Sequence, residues 1–160
     1  MTRKILNSVI VLSVALCLPC SILTVFAGGK VVSGAFSEPE DVDILVHAPE
    51  AASKGEQFTV TVQVKNRADQ PQSLNGVDVS LDYLAGIKFL EVTPPPSYTE
   101  LNSYAGMQSY YFEQEIPPGE VVTVQFTAVA GQTGTYAGNF DVCFSSTISC
   151  FSVTTQTVVR

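Results

Sequence analysis

Along Phe58-Thr59-Val60-Thr61-Val62-Gln63-Val64-Lys65-Asn66, apolar side chains recur at every second position, with Thr, Gln and Lys between them. A period of two marks a strand with one dry face and one wet face. Gly55-Glu56-Gln57 leads into this run. Some sixty residues on, Pro117-Pro118-Gly119-Glu120 leads in the same way into Val121-Val122-Thr123-Val124-Gln125-Phe126-Thr127-Ala128. The spacing predicts further strands at 43–49, 77–83, 87–92, 108–115, 134–144 and 149–158. Gly/Pro or Asn/Asp turns separate them, with Pro94-Pro95-Pro96 ending the fourth. Ser97 to Met107 reads as a loop. Helical periodicity is nearly absent. The expected fold class is therefore all-β: an immunoglobulin-like antiparallel β-sandwich of about seven to eight strands, preceded by an apolar export helix.

The last two strands carry a register test. Placing Cys143 opposite Cys150 sets Val142 against Phe151 and Phe140 against Val153 on one face. On the other face it sets Asp141 against Ser152 and Asn139 against Thr154. A slip of one residue would mix the two faces, so one assumed pair fixes the hairpin. Both cysteines then lie on the wet face beside a turn at Ser145-Ser146-Thr147-Ile148. A disulfide there, closing a short loop, contributes roughly 2–3 kcal/mol in the chain-entropy account. A two-cysteine metal site is the alternative. No histidine lies near in sequence to complete it.

Composition narrows the picture further. The 160 residues make room for one ordinary domain. Met1-Thr2-Arg3-Lys4 precedes a stretch from Ile5 to Ala27 that holds no charge, and Val25-Phe26-Ala27 offers a cleavage site. Residues 1–27 are expected to be a signal peptide or a retained membrane anchor. Either way the remainder is extracellular, on the cell surface or periplasmic. Residues 28–42 read as a linker, and 43–160 as the domain. Cys17 and Cys20 fall inside the apolar stretch as inert filler. Cys143 and Cys150 fall where disulfides persist.

Eight Lys and Arg stand against 15 Asp and Glu, for a net charge of −7. Arg3 and Lys4 belong to the first 27 residues, so the domain is more acidic still. Such a surface disfavours nucleic acid, and membrane contact is expected only through the N-terminal segment.

Chemistry-bearing patterns are sparse. His47 is the single histidine, and no Gly-x-Ser-x-Gly elbow or zinc-ligand spacing accompanies it. Glu113 and Glu115, and Asp78 and Asp82, are same-face pairs that default to solvent. Glu38, Glu40, Asp41 and Asp43 lack a calcium-loop pattern. No catalytic residue, metal site or cofactor is expected. Tyr98, Tyr104, Tyr110 and Tyr111 are the interface candidates, because tyrosine buries area at modest entropic cost. Their other reading is as core or edge filler.

The runs Gly55–Asn66 and Ile116-Pro117-Pro118-Gly119-Glu120-Val121-Val122-Thr123-Val124 resemble the bacterial cell-adhesion-related, CARDB-like immunoglobulin domains. They are similar also to the conserved-repeat domains of exported surface proteins. The resemblance covers about Val42 to Val158. It implies a seven-stranded extracellular module that mediates contacts or acts as a spacer, with no catalytic residues to carry over. The single copy, the 97–107 excursion and the Cys143–Cys150 pair depart from it. The expectation is thus a non-catalytic exported module that contacts a protein or glycan at the cell envelope. The alternative is a membrane-anchored accessory subunit of an envelope complex.

Overall fold

A computed structural model describes residues 41–144 and 149–160. The expected export helix and the 145–148 turn lie outside the described residues. The chain forms β1 (Val42–His47), β2 (Ala51–Ala52), β3 (Gln57–Asn66), β4 (Gln72–Ser80) and a helical turn, α1 (Leu81–Leu84). Then come β5 (Ile87–Thr93), β6 (Tyr98–Asn102), β7 (Met107–Ile116), β8 (Val121–Ala130), β9 (Gly134–Phe144) and β10 (Ser149–Val159). Two sheets result, in the orders β1-β3-β8-β5 and β2-β10-β9-β4-β7-β6. The fold is the expected sandwich.

The core follows from the alternation. Val60, Val62 and Val64 of β3 and Val124, Phe126 and Ala128 of β8 point inward from the four-stranded sheet, all buried. Leu74, Val77 and Val79 of β4, Phe112 and Ile116 of β7, and Phe140, Val142 and Phe144 of β9 complete the core from the six-stranded sheet. Removing this much apolar area from water is the main driving force of the fold.

The two glycine turns are built alike. Glu56 N–H donates to the Ser53 carbonyl with Gly55 at φ 85°, and Glu120 N–H donates to the Pro117 carbonyl with Gly119 at φ 79°. Both are turns of the type that needs a left-handed third residue, which glycine adopts without strain. They deliver β3 and β8 to each other, paired from Gln57↔Val129 to Lys65↔Val121.

Asn66 locks the end of that pairing. It is fully buried, and its amide donates to the Ile116 carbonyl at 2.8 Å and the Gln70 carbonyl at 2.8 Å. Its side-chain oxygen accepts from Ala68 N–H at 2.9 Å. One side chain thereby ties β3 of one sheet to β7 of the other.

Five expectations are corrected. The strand predicted at 77–83 stops at Ser80, whose hydroxyl caps α1 by accepting from Asp82 N–H. Tyr83 is still buried, reaching Thr157 at 3.0 Å and meeting the Phe140 ring edge-on at 5.4 Å. The 97–107 loop contains β6, an edge strand with all five residues exposed. The described residues form ten strands, because β2 and β6 add to the predicted set. The sheets are not wholly antiparallel, since β2 runs parallel to β10 through Val158↔Ala51 and Val159↔Ala52. Finally Val42, read as the end of the linker, is the first residue of β1 and is buried.

Candidate functional site

The inner faces are filled with apolar side chains, so any site must lie outside. The outer face of the six-stranded sheet orders its side chains in rows. One row runs Tyr98↔Tyr111↔Gly76↔Cys143↔Cys150 across β6, β7, β4, β9 and β10. The next runs Glu100↔Ser109↔Asp78↔Asp141↔Ser152. The first row is aromatic and sulfur, the second acid and hydroxyl.

In the first row Tyr98 and Tyr111 stack with centroids 4.2 Å apart and planes 15° apart. The Tyr111 hydroxyl reaches Glu100 at 3.4 Å. Gly76 follows a bulge at Asn75 and has no side chain to fill the space between Tyr111 and Cys143. A groove of about 230 Å³ results, lined by Asn75, Gly76, Asp78, Tyr111 and the Cys143–Cys150 bridge. A Cβ at Gly76 would stand 3.1 Å from the Tyr110 carbonyl oxygen and 3.7 Å from the Tyr111 ring. Glycine is therefore what keeps the groove open.

Cys143 and Cys150 are joined as a disulfide, in the cross-strand register that the alternation of β9 and β10 predicts. Cys143 is half-buried and Cys150 exposed. Asp78 and the two sulfurs lie within 4.8 Å of one another. Each sulfur is bonded to the other, which leaves the Asp78 carboxylate as the only anionic ligand atom of that cluster. The bridge belongs to an oxidising compartment, extracellular or periplasmic.

Electrostatics distinguish the second row. Asp78 and Asp141 face each other directly across β4 and β9. Burial above all, and then the facing Asp141 charge, push the Asp78 carboxyl above its usual range, against the Ser109 hydroxyl that hydrogen-bonds it. Asp141 accepts from Ser152. None of the six strands of this sheet carries a Lys or Arg.

The four candidate tyrosines part company. Tyr98 is 57% exposed and shares the outer face with Tyr111. Tyr104 is fully exposed in the turn between β6 and β7. Tyr110 is the correction: as Tyr111's neighbour in a strand it points the other way, and packs edge-on against Phe126 at 5.2 Å. Burial raises its phenol above the usual range.

The remaining candidates are dispersed. His47 is exposed at the end of β1, on the other sheet from both cysteines. Asp82 sits in α1 instead of beside Asp78 on β4. Asp43 pairs with Arg67 at 2.9 Å. Glu113 and Glu115 are exposed on β7, with Glu115 opposite Ser73. Glu38 and Glu40 lie outside the described residues. Among the described residues no helix is long and apolar enough to cross a membrane.

Comparisons with known proteins bear on the fold alone. No family model matches the chain, and no curated protein matches it in sequence. Similar solved structures include an Escherichia coli alpha-2-macroglobulin activated by porcine elastase, at 17% identity and TM-score 0.51 over 75% of this chain. A Salmonella alpha-2-macroglobulin is similar over 75% of this chain, at 17% identity and TM-score 0.53. The chain spans only 9% and 7% of the length of those two proteins. The CARDB domain of a Pyrococcus furiosus protein is similar at 16% identity and TM-score 0.47, over 84% of this chain and 100% of that one. The described residues form an immunoglobulin-type sandwich. That is the fold the resemblance to CARDB-like domains implies.

Proposed function

We propose that the chain is an exported, non-catalytic immunoglobulin-like module that contacts a protein or glycan at the cell envelope. The contact surface in this reading is the outer face of the six-stranded sheet. The observation that carries it is the exposed Tyr98–Tyr111 stack beside the groove at Gly76, held on rigid paired strands. The disulfide at the groove's edge supports the external location, and residues 1–27 supply the route of export. The scattered positions of His47, Glu113 and Asp82 support a binding role over a catalytic one.

The test is affinity purification from native envelopes with wild-type protein and with the Tyr98→Ser/Tyr111→Ser double variant. Both residues are on the outer face, so the variant should fold with nearly unchanged Tm. Wild type is expected to retain a partner that the variant loses. Equal recovery by the two would overturn the reading. Intact mass of the recovered chain reports cleavage after Ala27 and the state of both cysteines.

A further inference from the structure

The Asp78–Asp141 pair is electrostatically unfinished. Like charges directly opposite on neighbouring strands destabilise a sheet. Hydroxyls of Ser109 and Ser152 serve them, and neither has a cation on the strands of its own sheet. The Asp78 carboxylate nevertheless lines the groove at Gly76. One side of that groove is the Tyr111 ring, whose other neighbour is the Tyr98 ring stacked upon it. The opposite side is the sulfur bridge, with Cys143 Sγ 3.8 Å from the Asp78 carboxylate. A bonded sulfur has no hydrogen to give, so that contact does nothing to neutralise the acid.

An aromatic face, a polarisable sulfur wall and a carboxylate with no counter-ion among the described residues of its sheet suit a flat cation. A guanidinium stacks on a ring and forks onto a carboxylate in one pose, which an ammonium cannot do. Glu100 on β6 and Asp141 on β9 flank the same position, so the surrounding field is of one sign. We propose that the groove at Gly76 receives an arginine side chain from a polypeptide partner, with Tyr111 as stacking platform and Asp78 as counter-ion. This rests on the contact-face reading above and names the chemistry of the partner. Asp78 becomes a specificity residue, held at a small cost to the fold.

The experiment titrates three peptides into the oxidised protein and follows backbone amide shifts by NMR. The probes are Ac-Gly-Arg-Gly-amide, its citrulline counterpart, which keeps the shape and lacks the charge, and its lysine counterpart, which keeps the charge and lacks the fork. The arginine peptide is expected to shift Gly76, Tyr111 and Cys143 saturably. Affinity should fall at least tenfold with the citrulline peptide and in the Asp78→Asn variant, and should weaken as salt is raised. Asp78→Asn relieves a like-charge pair, so its loss of binding cannot be laid to misfolding. Equal binding of citrulline, undiminished binding by Asp78→Asn, or a lysine peptide as tight as the arginine one would overturn the proposal. An inert arginine peptide, with the envelope partner still lost in the Tyr98/Tyr111 variant, would sink the arginine assignment and leave the contact face standing. Binding of the arginine peptide together with equal partner recovery would do the reverse.

Discussion

The two outer faces of this sandwich are built on the same alternation and end in opposite electrostatic conditions. On the four-stranded sheet the register sets Asp43 opposite Lys65, and Asp43 is also bonded to Arg67. Around them Thr61 faces Gln125 and Gln63 faces Thr123, a neutral polar weave. On the six-stranded sheet the equivalent central pair is Asp78 opposite Asp141, beside an aromatic stack and a groove. One face sets its acid against bases, and its exposed apolar residues, Leu45, Leu90 and Val121, are aliphatic. The other has charge and aromatic surface left over, which is the condition of a surface that works by meeting something else.

The largest effect lies in what both faces share. Replacing Asn66 by Leu should cost about 3 kcal/mol, because three hydrogen bonds go and the Ile116 carbonyl is stranded in the interior. Urea denaturation would show it, and a loss below about 1 kcal/mol would mean that the faces are not tied through this residue. Next comes a feature of one face only. The Cys143→Ala/Cys150→Ala variant should lose about 2 kcal/mol by the same measurement, from the constraint the bridge places on the unfolded chain. An unchanged midpoint would show that the β9–β10 pairing needs no staple.

The smallest effects carry the sharpest contrast, because their signs differ. Arg67→Met removes an exposed ion pair and should lose at most a few tenths of a kcal/mol. Asp78→Asn should gain a few tenths at neutral pH. The folded Asp78 keeps its proton to higher pH than the ordinary value of 3.8. Its stabilising protonated form is therefore present below 3.8 and is lost as pH rises through the folded range. The advantage of Asp78→Asn should appear above that window and vanish in more acidic solution. A variant less stable than wild type at pH 7 would contradict the like-charge account.

What the sequence reveals follows burial. The register of the β9–β10 hairpin is legible near its tip, because Phe140, Val142, Phe151 and Val153 suit one face and Asn139, Asp141, Ser152 and Thr154 the other. Strand β6 is not, since five exposed residues at an edge carry no alternation to read. Val77, Val79, Leu81 and Tyr83 keep a period of two across the start of α1, so the pattern runs on where the backbone turns at the Ser80 cap. The opposite directions of Tyr110 and Tyr111 follow from strand parity alone. The groove needed more. A glycine inside a strand hints at open space, but the facing of Asp78 and Asp141 depends on β4 lying beside β9. That pairing of distant segments has no local signature.

The parallel joint between β2 and β10 has a consequence for timing. Ala51 and Ala52 wait for Val158 and Val159, more than a hundred residues on. Arg160 N–H donates to the Ala52 carbonyl and the Arg160 carbonyl accepts from Lys54 N–H, so Arg160 seals the same seam. A nascent chain thus keeps one rim of its larger sheet open until residues 158–160 have emerged, and disrupting those three positions would leave that rim permanently ajar.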